Sequence, residues 1–191
     1  MTKEIDFYFD FISPYSYLAH QKIKQTKNVN FKYKPVLVGG LHNLQGITAP
    51  AFINSKLKHM ISDCSLIAKK NKFDFIWNSK FPINSLNTMR GYLFVKDEVK
   101  DTYLNIMFDA YWKDNLDTSN EEILKTLIEK CKINLNYFFH GIKDPKIKEK
   151  LKNVTQEAND KEIFGVPTFV INNKIFWGQD RLELALDEYN K

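Results

Sequence analysis

Cysteine is scarce in this sequence: Cys64 and Cys131 are the two thiols in 191 residues, and they lie far apart in the chain. A disulfide framework or a Cys/His metal site needs more such residues at closer spacing. We therefore expect no disulfide and no metal. Both cysteines fall in amphipathic, helix-like stretches, where a thiol packs as a small apolar side chain.

Long apolar runs are also missing. No segment approaches the roughly 20 apolar residues that are needed to cross a bilayer. The first residues lead directly into a strand-like segment, and they show neither the apolar region of a signal peptide nor an Arg-rich transit helix. These features predict a cytoplasmic protein without a membrane partner.

Arginine is rare too, since Arg90 and Arg181 are the only two among 28 basic residues. The net charge is +5, but the lysines are spread along the chain with acidic residues between them. A nucleic-acid-binding protein would carry its positive charge clustered on one face. We expect no nucleic-acid partner, and an anionic small molecule suits this basic balance better.

Hydrophobic residues make up 43% of the chain, which is enough for a real core. Residues 5–11 are typical of a strand, 14–27 of a helix and 31–38 of a second strand. A strand–helix–strand unit at this spacing is normally parallel and right-handed.

The middle of the chain, residues 51–161, has mainly helical patterns. At the end, two short strands flank Asn172-Asn173, a pair that suits a tight hairpin turn, and a last helix begins near Asp180. This order predicts an α/β fold in which residues 1–50 and 162–191 form the sheet domain and 51–161 form an inserted, all-helical domain.

The sharpest local feature is Ser13, which precedes Pro14 where the first strand ends and the first helix begins. Free backbone N–H groups and the helix dipole favour a negative charge there, and a thiolate is such a charge. Serine without an adjacent base is a poor nucleophile, so its economical role is to donate a hydrogen bond to the sulfur of a cosubstrate. A plain N-cap serine is the alternative.

A second feature is Val166 before Pro167, where the third strand begins. A proline at this point cannot donate a hydrogen bond to the sheet. A cis peptide bond would leave the backbone of Val166 free to bind an extended peptide. An ordinary strand-initiating proline is the alternative.

The third feature is the start of the last helix. Gln179 and the backbone could hold a carboxylate there, and Asp180 could accept a hydrogen bond from an ammonium group. The alternative is that Asp180 only caps the helix, with Glu183 three residues later as in a capping box, and that Arg181 is solvated.

Three segments together resemble one family. They are residues 7–19 (FYFDFISPYSYLA), 164–168 (FGVPT) and 176–181 (FWGQDR). In this order and spacing they are similar to the 2-hydroxychromene-2-carboxylate isomerases and the kappa-class glutathione transferases, and the resemblance extends over nearly the whole chain. It implies a thioredoxin-like domain with an inserted helical domain, in the DsbA-like arrangement, as well as glutathione binding and a homodimer.

The resemblance also implies roles for single residues. Ser13 would meet the glutathione sulfur, and Val166 before cis-Pro167 would meet the cysteinyl backbone. Tyr15 would belong to the same binding site. Lys56 would reach the glycyl carboxylate or the substrate.

Further roles are implied at the other end of glutathione. Gln179 and Asp180 would hold the γ-glutamyl end, supported by Arg181. Asp63 also matches a family position, with a structural role. One departure from the family is Ile47, which stands where a ligand-facing Asn is common. The native substrate is therefore expected to differ from the chromene carboxylate.

The predicted function is that of a glutathione-dependent isomerase, which acts on a small electrophilic, unsaturated aromatic substrate by reversible thiolate addition. A kappa-class glutathione transferase is one alternative, and a non-catalytic module that binds a peptide or partner is another. A thiol–disulfide oxidoreductase needs a low-pKa cysteine at this helix start. Because Ser13 and Ser16 occupy both positions, that activity is not expected.

Overall fold

The computed structural model describes residues 3–191, and its sheet joins the two ends of the chain. The strand order is β2-β1-β3-β4. The strands are β1 (Ile5–Phe9), β2 (Phe31–Pro35), β3 (Thr168–Ile171) and β4 (Lys174–Trp177). β1 pairs in parallel with β2, whereas β3 is antiparallel to both β1 and β4. The strand from the start of the chain therefore lies between β2 and the returning hairpin.

Most of the remaining chain is α-helical. The helices are α1 (Pro14–Gln25), α2 (Val38–Gln45), α3 (Asn54–Asn71), α4 (Leu86–Phe94), α5 (Asp97–Trp112), α6 (Glu121–Lys130), α7 (Leu135–Gly141), α8 (Pro145–Asp160) and α9 (Leu182–Tyr189). The helices α3 to α8 fall between β2 and β3 and lie within residues 51–161. No helix within residues 3–191 is both long and apolar enough to cross a membrane.

The central strand β1 is buried on both of its faces, because successive side chains of a strand point to opposite sides. Phe7 and Phe9 lie in the main hydrophobic core, which continues into the helical part of the chain. Tyr8 belongs to a smaller cluster on the other face, together with Leu41 of α2 and Ala158 of α8. Because alternate side chains of β1 pack into two different clusters, the sheet lies between two layers of helices.

Local sequence signals explain several element boundaries. The hydroxyl of Ser13 accepts a hydrogen bond from the N–H of Ser16 at 3.1 Å, so that Ser13 caps α1. Asn120 caps α6 and Asp144 caps α8 in the same manner. The predicted hairpin is confirmed, since Asn172-Asn173 joins β3 to β4 with φ angles of 51° and 60°. Such positive angles are those of a two-residue hairpin turn.

Two expectations from the sequence are wrong. Residues 31–38 are not one strand, because β2 ends at Pro35 and α2 begins at Val38. Asp180 does not cap the last helix. Residues Gln179–Arg181 form a short 3-10 helix, and α9 starts at Leu182 without a side-chain cap. Asp180 instead accepts a hydrogen bond from Arg181 at 3.0 Å.

Candidate functional site

A cavity of about 970 Å³ opens where the end of β1 meets the starts of α1, α2 and α3. Pockets of roughly 300–1,000 Å³ enclose drug-sized ligands, so this volume has room for a small peptide and a second molecule. Of the residues predicted for the site, the cavity wall contains Ser13, Tyr15, Lys56 and Val166. Three separate parts of the sequence, at Ser13 and Tyr15, at Lys56 and at Val166, are brought together here by the fold.

Ser13 lies in the cavity wall and is 8% exposed. Besides capping α1, its hydroxyl donates a hydrogen bond to the carbonyl oxygen of Val166 at 3.3 Å. The capping interpretation of Ser13 is therefore confirmed. The hydroxyl proton is held by a single long hydrogen bond, and it can rotate towards an acceptor in the cavity.

Val166 lines the cavity, whereas Pro167, which follows it, is not among the described wall residues. Their peptide bond is cis, as predicted from the sequence. The carbonyl of Pro167 accepts from the N–H of Gly178 at 2.9 Å, which holds this turn against the end of β4. Thr168 begins β3 directly afterwards. Val166 thus sits just outside the sheet, where its backbone faces the start of α1 through Ser13.

Tyr15 reaches the cavity with its ring, but its hydroxyl is engaged. It donates to the carboxylate of Asp63 on α3 at 2.8 Å. Burial is the main cause that raises the pKa of Tyr15, and the neighbouring Cys64 and Asp63 add to it. This hydroxyl therefore stays protonated and joins α1 to α3, so Tyr15 contributes shape to the site rather than a titratable group.

The wall of the cavity holds both basic and acidic groups. Lys56, His42 and His59 line it, and Asp10 is the one acidic residue among the described wall residues. Asp10 is fully buried. Burial raises its pKa to about 6, although hydrogen bonds from Val38 and Ser85 oppose the rise. An anionic ligand thus meets the positive charge of Lys56, while the one carboxyl group in the described wall is fully buried.

Large aromatic side chains form the rim. Phe52 and Trp177 line the cavity and are 74% and 53% exposed. Trp177 packs against Phe164, with ring centroids 4.8 Å apart. Apolar rings at the mouth of a cavity suit a ligand with an aromatic or aliphatic body.

Gln179, Asp180 and Arg181 lie next to this site rather than in its wall. They follow Trp177 in the 3-10 helix, where Gln179 is buried and the other two are exposed. Lys22 of α1 donates to the side-chain oxygen of Gln179 at 2.6 Å and to its backbone oxygen at 3.2 Å. These contacts connect the helix that starts at Ser13 with the predicted γ-glutamyl site.

Sequence reasoning missed several residues around the cavity. Asp10 was part of a recognised motif, yet nothing showed that its carboxylate would bind the start of α2. Lys22 has no local signal, because its partner is 157 positions away. Asn43 lines the cavity, whereas Ile47 is absent from the described wall residues and is 37% exposed. The side chain at position 47 is therefore not part of the described cavity wall.

Comparisons with known proteins agree with this architecture. A family model described as a DSBA-like thioredoxin domain matches residues 4–190. A 2-hydroxychromene-2-carboxylate isomerase from Sphingobium xenophagum is 27% identical, covering 99% of this chain and 98% of that protein. Human glutathione S-transferase kappa 1 is 23% identical, with 96% of this chain and 89% of that protein covered.

A solved structure of a 2-hydroxychromene-2-carboxylate isomerase superposes with a TM-score of 0.89, at 24% identity and with 97% of this chain and 94% of that chain covered. The α/β, thioredoxin-like architecture predicted from the sequence is therefore confirmed. So is the resemblance that rested on the three short motifs. The chain belongs to the family of DsbA-like thioredoxin domains.

Proposed function

We propose that this protein is a glutathione-dependent isomerase that acts on an electron-poor, unsaturated aromatic substrate. The observation that carries the proposal is the placement of Ser13. Its hydroxyl lies at the start of a 12-residue helix, in the wall of a cavity that also contains the backbone of Val166. That combination suits a thiolate bound to an extended peptide.

The chemistry needs no oxidant or reductant. The thiol of glutathione loses its proton to solvent, and the hydroxyl of Ser13 stabilises the thiolate. The sulfur adds to the electron-poor carbon of the double bond, and the π electrons move to the conjugated carbonyl oxygen. The bond that was double is now single and can rotate. The electrons then return, the double bond reforms and the thiolate leaves.

The protein contributes binding and position to these steps. Val166 would pair with the cysteinyl backbone, Lys56 would meet the glycyl carboxylate or the substrate, and Gln179 and Asp180 would hold the γ-glutamyl end. The aromatic rim at Phe52 would cover the second molecule. Holding the thiolate and the double bond in contact converts a slow encounter into a step within one complex.

A kappa-class transferase is the second candidate, and it is favoured by the similarity to human glutathione S-transferase kappa 1. It would share the addition step, but the enolate would take a proton at carbon and the thioether would persist. A thiol–disulfide exchange role has little support, since burial raises the pKa of Cys64 to about 12 and that of Cys131 to about 11. Such thiols are poor nucleophiles at neutral pH.

The experiment is to incubate the protein with glutathione and a cis aryl enone and to follow both molecules by NMR. An isomerase converts the enone to its trans form with glutathione unchanged. A transferase consumes glutathione and yields a thioether. The proposal is wrong if neither occurs faster than in the absence of protein for several enones, including the chromene carboxylate, while glutathione fails to bind. We also propose that the protein is cytoplasmic and forms a homodimer. Sedimentation of the purified protein tests the dimer, and fractionation of cells that express it tests the location.

A further inference from the structure

The contact between Lys22 and Gln179 determines which end of an amide group is available to a ligand. The ammonium of Lys22 lies 2.6 Å from the side-chain atom Oε1 of Gln179. An ammonium group has only donors, so the atom of Gln179 that faces it is the oxygen and not the nitrogen. The orientation of this amide therefore follows from chemistry.

The other end of the Gln179 amide remains available. Its NH₂ group forms no hydrogen bond within the described part of the chain, although the residue is only 8% exposed. The nitrogen of this group is not fully enclosed by the described part of the protein. It is thus an oriented donor that solvent, or a ligand, can reach. A donor of this kind pairs with an acceptor such as a carboxylate.

The distance between Ser13 and Lys22 along α1 fits a ligand whose sulfur lies at Ser13. Ser13 and Lys22 are nine positions apart, which is on the order of 13 Å along a helix that rises 1.5 Å per residue. The long side chain of Lys22 points back towards the helix start, as side chains of helices do. In glutathione the sulfur lies on the central residue, and the eight bonds from it to the carbon of the γ-glutamyl α-carboxylate span on the order of 10 Å when extended. A tripeptide with its sulfur at Ser13 can therefore reach Gln179.

We propose that Lys22 is a positioning residue for the γ-glutamyl end of the cosubstrate. It holds the side-chain oxygen of Gln179, so that the NH₂ group of Gln179 donates to the α-carboxylate of the ligand. The exposed carboxylate of Asp180 then serves the α-ammonium. This inference rests on the proposed use of glutathione and assigns opposite ends of one amino acid to neighbouring residues.

The test uses glutathione and two analogues that each lack one charged group of the γ-glutamyl residue. The glutaryl analogue keeps the carboxylate without the ammonium, and the 4-aminobutyryl analogue keeps the ammonium without the carboxylate. Dissociation constants are measured by calorimetry for the wild type and for Lys22→Met. We expect about tenfold weaker binding of glutathione and of the glutaryl analogue, as for the loss of one oriented hydrogen bond to a charged group. Binding of the 4-aminobutyryl analogue should stay within twofold.

Three further variants separate positioning from structure. Lys24→Met removes the same charge from the exposed side of α1 and should leave all three constants unchanged. Lys22→Arg restores a donor to Gln179 and should recover most of the affinity. Gln179→Glu keeps a partner for Lys22 but replaces the donor with an acceptor. It should most strongly weaken the binding of the two ligands that keep the carboxylate of the γ-glutamyl end.

The possible failures can be told apart. If the wild type binds no glutathione, the proposed function and this inference are both wrong. If the wild type binds it and Lys22→Met binds it equally well, only the role of Lys22 is wrong. Equal weakening of all three ligands would mean that Lys22 merely joins α1 to the 3-10 helix, and it would also overturn the inference. Melting temperatures recorded for each variant identify any that fail to fold. If Lys22→Met is one of them, the dissociation constants of Lys22→Arg decide whether a donor to Gln179 is needed.

Discussion

The backbone N–H of Val38 donates a hydrogen bond to the buried carboxylate of Asp10 at 2.9 Å. The helix α2 has no side-chain cap near its own start, so a residue 28 positions earlier provides this acceptor. The other carboxylate oxygen accepts from Ile12 at 3.2 Å. One carboxylate thus holds together the end of β1, the turn before Ser13 and the start of α2, which are three parts of the cavity wall.

Replacement of Asp10 by Asn is expected to change how stability depends on pH. Burial raises the pKa of Asp10 from 3.8 to about 6, so its stabilising contribution is complete below pH 3.8 and is lost as the pH rises through 6. The full effect is about 3 kcal/mol. The wild type should therefore gain stability relative to Asp10→Asn as the pH falls from 8 to 4.5. Urea unfolding at both pH values measures this, and a constant difference would contradict it.

His20 should show the opposite dependence. It is 2% exposed, and its ring nitrogens contact the hydroxyl of Tyr33 at 2.7 Å and the amide oxygen of Asn105 at 3.1 Å. Burial lowers its pKa from 6.5 to about 4. Its stabilising contribution is present above pH 6.5 and is lost as the pH falls through 4, an effect of about 3 kcal/mol.

The variant His20→Gln lacks this titration. Relative to this variant, the wild type should lose stability between pH 7.5 and pH 4.5. Because Asp10 and His20 act in opposite directions over the same range, the wild type alone shows only their difference. Urea unfolding of both single variants separates them. The assignment to His20 is wrong if His20→Gln and the wild type lose stability in parallel.

Local signals in the sequence were sufficient for much of the fold. Ser13-Pro14 indicated the start of α1, because Ser13 caps the helix that Pro14 begins. Asn172-Asn173 indicated the hairpin, because asparagine tolerates the positive φ angles of such a turn. The start of α2 was not predictable in this way. Its cap comes from Asp10 at the end of the neighbouring strand β1, and Gly39-Gly40 in its first turn is a poor helix former. The last helix was misjudged since Gly178, with a φ of 115°, leads into a 3-10 turn first.

For the site, too, local motifs were predictable from the sequence and contacts between distant segments were not. Ser13, Lys56 and Val166 could be named from the sequence because they belong to short, spaced motifs. The partnership of Lys22 with Gln179 depends on the packing of α1 against the 3-10 helix. No pattern within either segment reports such a contact.

The cavity wall predicts different outcomes at two neighbouring positions. Asn43 lines the cavity and Ile47 does not. Asn43→Leu removes donors and an acceptor that a polar substrate can use, and it should lower kcat/KM for the chromene carboxylate about tenfold or more, as for a lost hydrogen bond to a charged group. Ile47→Asn should change kcat/KM by less than twofold. A large gain on Ile47→Asn with no loss on Asn43→Leu would reverse this assignment.

Close packing of α4 gives a prediction about stability alone. A Cβ atom added at Gly91 would overlap the hydroxyl of Tyr103, and Tyr103 is fully buried and donates to the backbone of Thr88 at 2.9 Å. Neither partner can move away easily, so Gly91→Ala should destabilise the protein by about 1–3 kcal/mol or more. Gly39→Ala is the matched control, because a Cβ there meets no atom within 4 Å. Comparable melting temperatures for the two variants would refute the packing argument.

The role of Ser13 can be measured on the bound thiol itself. Ser13→Ala removes the hydroxyl that we expect to donate to the thiolate, so the pKa of bound glutathione should rise by roughly 1–2, the equivalent of one hydrogen bond to a charged group. The variant also loses the cap of α1, at a cost of about 0.5–2 kcal/mol, which is why binding and melting temperature must be recorded together. Ultraviolet absorbance of the thiolate gives the titration curve.

Ser16 provides the matched control for Ser13. Its hydroxyl is buried at the same helix start, has no partner within residues 3–191 and does not line the cavity. Ser16→Ala should therefore leave the pKa of the bound thiol unchanged, whereas Ser13→Thr, which keeps a hydroxyl and a capping oxygen, should restore most of the wild-type value. If Ser13→Ala and Ser16→Ala give the same pKa as the wild type, Ser13 is only the cap of α1, and the thiolate is stabilised by the helix dipole and the backbone N–H groups alone.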